Sequence, residues 1–217
     1  IPVYKDGTLS WLAEKSQPVQ IQLSDGTSRS LDARVPGEIL LNRWDLTVED
    51  WNEGEKVTIT EDRGLGIVTN EVYYETRKDR ISVGETDLIP WRQIPSVGPD
   101  VSGVGFYTVH TRFSQEWIEN CRTVLELDSV CGNLAAVFVN GKKAAPLDFD
   151  LLKLDITDLV HAGENTITVE VSSTLNNRLI ARDYYRLAGE RTAQMANNFD
   201  PDAVTASITA STQDYGL

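Results

Sequence analysis

The chain has 217 residues and carries 20 Lys plus Arg against 33 Asp plus Glu, a formal net charge of −13 at pH 7. This acidic balance leaves no basic surface to meet a phosphate backbone, so nucleic acid is excluded as a partner. A hydrophobic content of 41% indicates a folded globular chain, and no run approaches the roughly 20 apolar residues of a membrane span.

Short alternating runs separated by Gly, Asp, Asn and Pro dominate the sequence and predict antiparallel strands with one buried face. The first clear pair is residues 19–23 and 30–35, joined by a turn that contains the dipeptide Asp25-Gly26. About nine strands are predicted. The others are residues 44–48, 56–60, 67–75, 106–113, 123–128, 135–140 and 166–171.

Side-chain alternation along these runs predicts the core. In residues 106–113, Tyr107, Val109, Thr111 and Phe113 share the inward face, because successive side chains of a strand point to opposite sides. The same alternation predicts that two pairs and one triplet of aliphatic residues point inward. They are Leu125 with Leu127, Val137 with Val139, and Ile167 with Val169 and Val171.

One short helical turn is predicted at residues 155–160, where Asp155 can cap the free amides and Gly163 follows as a stop. Trp44 and Trp51 lie in a strand pattern, which favours core positions for both. If residues 123–128 and 135–140 pair as a hairpin, Cys121 and Cys131 lie roughly 20 Å apart along it, beyond the ~7 Å limit between the Cα atoms of a disulfide. Both cysteines are therefore predicted to be free.

Catalytic motifs are missing from the sequence. It contains no nucleophile elbow, P-loop, H-E-x-x-H or G-x-G-x-x-G, and its two histidines give little material for a triad or a metal site. No cofactor is predicted. Asp148 and Asp150 are weak candidates for a calcium site, with a solvated role in a turn as the alternative, because the EF-hand pattern is absent.

Carbohydrate binding requires aromatic faces and planar polar groups on loops held by a rigid sheet. Seven residues after predicted strands have this chemistry and are the candidate carbohydrate-binding residues: Trp91, Arg92, Asn177, Arg178, Arg182, Tyr184 and Tyr185. Alternatives remain open, since Trp91 can instead close one end of a sandwich, and Asn177 and Arg178 can satisfy loop backbone.

Residues 91–179 resemble the galactose-binding-like β-sandwich of glycoside hydrolases, notably family 2 enzymes and the α-L-rhamnosidase-like family 106. The motifs that carry the resemblance are Ser102-Gly103-Val104-Gly105-Phe106-Tyr107, Ala136-Val137-Phe138-Val139-Asn140-Gly141, Asp155-Ile156-Thr157-Asp158-Leu159-Val160 and Gly163-Glu164-Asn165-Thr166-Ile167. The expected fold is all-β, an antiparallel jelly-roll β-sandwich with one short helical turn. We expect the sandwich to span residues 53–217, with residues 1–52 as N-terminal strands of the same sandwich or the edge of a preceding domain.

The resemblance implies an accessory, non-catalytic module of a secreted, rhamnosidase-like enzyme, because in the relatives the catalytic acids belong to a separate domain. Its expected partners are carbohydrate and that adjacent catalytic domain, and not nucleic acid or a membrane. The chain is expected to be a fragment of a longer protein. The alternatives are a structural or protein-interaction domain, and part of a glycosidase site that another domain completes.

Overall fold

The computed structural model describes residues 2–5, 7–147, 150–188 and 211–217. The strands of this part of the chain are β1 (Pro2–Lys5), β2 (Thr8–Trp11), β3 (Pro18–Gln22), β4 (Ser28–Asp32), β5 (Arg43–Asp62), β6 (Val68–Asp87), β7 (Gly103–Phe113), β8 (Val124–Glu126), β9 (Leu134–Val139), β10 (Lys142–Lys143), β11 (Lys153–Asp155) and β12 (Gly163–Ser172). The described part of the chain also has two short helices, α1 (Gln115–Asn120) and α2 (Asn176–Ala181), and two 3-10 turns, Trp91–Gln93 and Thr157–Leu159. Residues 184–188 are helical as well.

Six strands form one antiparallel sheet in the order β10-β9-β12-β7-β5-β6. A row of apolar side chains crosses four of them, because Tyr107 pairs with Leu46 on one side and Val169 on the other, and Val169 pairs with Val137. All four side chains are buried. The inward face predicted from alternation is therefore confirmed.

A second layer covers this sheet. Strands β8 and β11 form a two-stranded sheet, and their Leu125 and Leu154 share one hydrophobic core with Trp91 of the first 3-10 turn and with Tyr215 and Leu217 at the C-terminus. The architecture is an antiparallel all-β sandwich, as the sequence predicts. The predicted turn at residues 155–160 is present as the 3-10 turn Thr157–Leu159, and Asp155 accepts a hydrogen bond from the Thr157 amide at 3.0 Å.

The hairpin at residues 19–35 is confirmed as β3 paired with β4. The predicted pairing of residues 123–128 with 135–140 is wrong, because β8 pairs with β11 and β9 pairs with β12 and β10. The connection between β8 and β9 buries Leu127, Val130 and Asn133, so it crosses between layers and cannot act as a tight turn. Cys121 and Cys131 are free thiols.

Residues 44–48 and 56–60 were predicted to be separate strands, and this is wrong. They lie in the single strand β5, and the polar segment Glu53-Gly54-Glu55 between them is a β-bulge. Strand β5 thus runs across the expected boundary between residues 52 and 53. The division of the chain at this boundary stays a prediction. The helices α1 and α2 were not predicted, because each has only six residues and too few turns to show an apolar stripe.

Candidate functional site

A groove of about 310 Å³ lies where the long β5–β6 ribbon meets the segment that contains α2. One wall is formed by strand residues on either side of the β-bulge, and the other by α2 and the residues that follow it. We call this the ribbon groove. Its lining residues are Trp51, Asn52, Glu53, Tyr74, Glu75, Thr76, Leu175, Arg178, Leu179, Arg182, Tyr184 and Leu187.

Gly54 determines the shape of the strand wall. A Cβ atom at this position would lie 2.9 Å from the backbone oxygen of Glu75 and 3.3 Å from the amide nitrogen of Arg77. Only glycine lets the two strands approach this closely. The register shift between Glu53 and Lys56 bends the ribbon at this point, and Glu53 and Glu75 both line the groove.

A buried ion pair fixes the other wall. Arg178 donates from Nη2 to both carboxylate oxygens of Asp50, at 2.5 and 2.6 Å, and the two side chains are 18% and 11% exposed. The backbone amide of Arg178 donates to Ser102 Oγ at 3.2 Å, and the side-chain Nδ2 of Asn52 donates to Asp50 Oδ2 at 2.8 Å. These contacts attach α2 to β5. Among the described residues, the buried Nε of Arg178 has no hydrogen-bond partner.

Asn177 attaches the C-terminal segment to the same helix. Its side-chain amide donates to the backbone oxygen of Gln213 at 2.9 Å and accepts from the Gln213 amide at 2.8 Å. Asn177 is buried, so it supports the groove from below and does not line it. These contacts match the alternative interpretation, in which Asn177 forms hydrogen bonds with the backbone of a loop.

Two tyrosine rings flank the groove. Tyr74 is 55% exposed and Tyr184 is 51% exposed. Tyr184 is held by an edge-to-face contact with Tyr185, with ring centroids 5.8 Å apart, and the Tyr185 hydroxyl donates to Asn176 Oδ1 at 3.0 Å. An exposed ring fixed from behind gives a flat apolar face at low entropic cost to a ligand.

Trp51 at the floor of the groove is held by charged neighbours. Its Nε1 donates to Glu49 Oε1 at 2.8 Å, and Lys78 Nζ lies 4.9 Å from the ring centroid. The hydrogen bond from Trp51, together with Lys78, lowers the pKa of Glu49 below its usual value. The expectation of a core position is confirmed for the buried Trp44, whereas Trp51 is half-buried and lines the groove.

The structure brings some of the candidate carbohydrate-binding residues together. Arg178, Arg182 and Tyr184 line the ribbon groove, and Tyr185 supports Tyr184 from outside it. Trp91 and Arg92 do not line this groove.

Trp91 is 1% exposed and belongs to the core. Its Nε1 donates to the Tyr107 hydroxyl at 2.9 Å, and its ring meets Tyr215 edge-to-face. Trp91 therefore packs inside the sandwich and offers no exposed ring face to a sugar. Arg92 is exposed and forms an ion pair with Asp214 at 2.6 Å.

Nine solved chains are similar to this one, and two of them are compared with it below, while no protein-family model and no curated protein matches the chain. The first is a rhamnosidase from Novosphingobium sp. PP1Y, with 25% identity and a TM-score of 0.39 over 76% of this chain and 16% of that one. The second is a β-D-glucuronidase for Dictyoglomus thermophilum, with 16% identity and a TM-score of 0.29 over 62% of this chain and 20% of that one. The structural neighbours are glycoside hydrolases. The chain spans 16% and 20% of their respective lengths.

Sequence reasoning missed the strand wall of the groove. Asn52, Glu53 and Glu75 were not predicted as site residues, and the Asn-Glu-Gly-Glu segment was interpreted as a boundary. A usable signal was present, because a glycine inside a strand pattern indicates a bulge or a close backbone approach.

The described residues contain no group of three or more His, Cys, Asp or Glu side chains able to hold a metal ion. Asp148 lies outside the described residues, and Asp150 is exposed in a turn. No helix in the described part of the chain is long and apolar enough to span a membrane.

Proposed function

We propose that the chain is an accessory, non-catalytic β-sandwich module of a glycoside hydrolase, and that the ribbon groove binds carbohydrate. The observation that carries this proposal is the pair of half-exposed tyrosine rings, Tyr74 and Tyr184, on opposite walls of one groove. Sugar C–H faces pack against such rings, and a volume of about 310 Å³ is at the small end of ligand sites, which run from about 300 to 1,000 Å³.

The polar groups around the rings suit sugar hydroxyls. Arg182 supplies exposed guanidinium donors, and Glu53 and Glu75 supply exposed carboxylate acceptors. Because both signs of charge are present, the groove favours a neutral sugar over a polyanionic one. The sequence resemblance to rhamnosidase-like modules supports rhamnose- or galactose-containing glycans as the ligands.

The parent protein is proposed to be a secreted, rhamnosidase-like enzyme whose catalytic acids lie in an adjacent domain that this module also braces. This part of the proposal comes from the sequence resemblance. The alternative of a glycosidase site completed by another domain would use Glu53 and Glu75, the two carboxylates that line the groove. Turnover of an aryl rhamnoside by the purified chain alone would favour that alternative.

Isothermal titration of the chain with rhamnose- and galactose-containing oligosaccharides tests the proposal, with at least millimolar binding expected. Covering about 50 Å² of one tyrosine ring at about 25 cal/mol/Å² contributes ~1.3 kcal/mol. Tyr74→Ala and Tyr184→Ala should therefore each weaken binding about tenfold.

The matched control is Tyr73→Ala. Tyr73 is a neighbouring exposed tyrosine on the opposite face of the ribbon, since it pairs with Val57 whereas Tyr74 pairs with Lys56. Its substitution should leave the affinity unchanged. No binding to any of these glycans, or equal losses for Tyr73→Ala and Tyr74→Ala, would show that the groove is not the site.

A further inference from the structure

Strand β6 forms one outer edge of the six-stranded sheet, and within the described residues it pairs only with β5. Strand β5 in turn pairs with β7 only over residues 45–50. From residue 52 to the turn at residues 63–67 the two strands continue without a third, over roughly 35 Å at about 3.3 Å per residue. We call this two-stranded segment, residues 52–76, the arm.

The arm exposes apolar side chains along its length. Leu65 at the turn is fully exposed, and Ile67, Val68, Val72 and Tyr73 are all about half exposed. An isolated two-stranded ribbon is marginally stable in water, and three or more strands are needed for independent stability.

Charge is unevenly distributed over residues 68–80 of β6. Residues 68–75 carry the exposed Glu71 and Glu75, whereas residues 76–80 carry the exposed Arg77, Lys78 and Arg80 together with one acid, Asp79. Within this segment the acidic end is complementary to the basic end of its own antiparallel copy.

We propose that β6 pairs edge to edge, antiparallel, with β6 of a second copy of this chain. In pairing about Tyr74, Glu71 of each copy faces Arg77 of the other, so the favourable charge pair occurs twice. Pairing about Tyr73 would instead place Glu71 opposite Glu75, and like charges directly opposite are destabilising. The charges therefore favour pairing about Tyr74 over pairing about Tyr73.

Pairing gives each arm the neighbour that it lacks, because two ribbons side by side form a four-stranded sheet. Arg77 contacts Asp79 through Nε, and its side chain stays 61% exposed, which leaves its terminal nitrogens available to a facing carboxylate. The net charge of −13 opposes association at long range. At 0.15 M salt this repulsion is screened beyond about 8 Å.

Sedimentation velocity of the chain at 0.15 M salt over a range of concentrations tests this proposal, which does not depend on the proposed carbohydrate site. A concentration-dependent dimer is expected. Glu71→Arg and Arg77→Glu should each weaken dimerisation tenfold or more, because each places like charges opposite twice. The double variant Glu71→Arg/Arg77→Glu should restore it.

Glu61→Arg is the matched control, since Glu61 is an equally exposed carboxylate on β5, away from the outer edge. It should dimerise as the unchanged chain does. A second measurement needs no variant: hydrogen exchange at β6 amides of residues 68–80 should slow as the concentration rises. A chain that stays monomeric up to about 1 mM, or a double variant no better than the single ones, would overturn the proposal.

Discussion

The ion pair between Asp50 and Arg178 should be a principal determinant of stability near the ribbon groove. Asp50→Ala leaves the Arg178 guanidinium largely buried without its carboxylate, and removing one partner of a buried pair costs about 3 to 5 kcal/mol. Because the Arg178 side chain keeps 18% exposure, water can reach part of it, and the lower end of this range, about 3 kcal/mol, is expected.

This cost can be measured by thermal unfolding. For a chain of this length, 1 kcal/mol corresponds to about 2 to 4 °C in Tm, so Asp50→Ala should lower Tm by about 6 to 12 °C. Glu85→Ala is the matched control, because it removes an ion pair with Arg43 whose side chains are 63% and 61% exposed. Exposed pairs contribute about 0 to 1 kcal/mol.

The double variant Asp50→Ala/Arg178→Met completes the cycle. Replacing the arginine by an apolar chain of similar length removes the unpaired charge, so much of the lost stability should return. A drop for Asp50→Ala no larger than that for Glu85→Ala would refute the reasoning. So would strict additivity of the two substitutions, because groups in direct contact should couple.

Two further outcomes are expected in the core. Burial raises the pKa of Tyr107 to about 12, against about 10 in the unfolded chain. The resulting contribution to the free energy of unfolding, about 3 kcal/mol, is complete below pH 10 and is lost as the pH rises towards 12. Denaturant titrations of the chain and of Tyr107→Phe should therefore converge over that interval, and parallel curves would contradict the prediction. Gly105→Ala places a Cβ 2.6 Å from Trp91 Cζ2 and should lower the free energy of unfolding by about 1 to 3 kcal/mol through overpacking. Gly37→Ala is the control, since a Cβ there would have nothing within 4 Å, and it should leave Tm unchanged. Equal unfolding midpoints for the two variants would show that the Trp91 ring can move.

Local alternation predicted the sheet core well and the partners of short strands poorly. Tyr107 and Val169 could be placed on the inward face because each lies in a run with period two. The pairing of β8 with β11 could not be predicted, because it depends on which short strand lies nearest after the chain has crossed between layers. Sequence neighbours are the default partners of strands, and here long-range packing decides instead.

The site was predicted only on the side that the chain marks with Arg and Tyr residues. Arg182 and Tyr184 could be recognised as candidate binding residues by their chemistry alone, in a segment predicted to be a loop. Glu53 and Tyr74 line the groove only because the bulge at Gly54 bends the ribbon towards α2. Trp91 shows the opposite case. Its chemistry suits a sugar face, but the Tyr107 hydroxyl and the Tyr215 ring hold it in the core.

The carbohydrate groove and the β6 edge share Tyr74, and this connects the two proposals. In antiparallel pairing about Tyr74, the two Tyr74 side chains lie directly opposite each other on one face of the joined sheet. The two grooves would then lie side by side across the twofold axis. A glycan with repeated units could occupy both, and bivalent binding raises affinity by about 10²- to 10⁴-fold without any new contact. The Glu71→Arg variant, which leaves the groove residues unchanged, should therefore bind a monovalent sugar normally and a polymeric one more weakly.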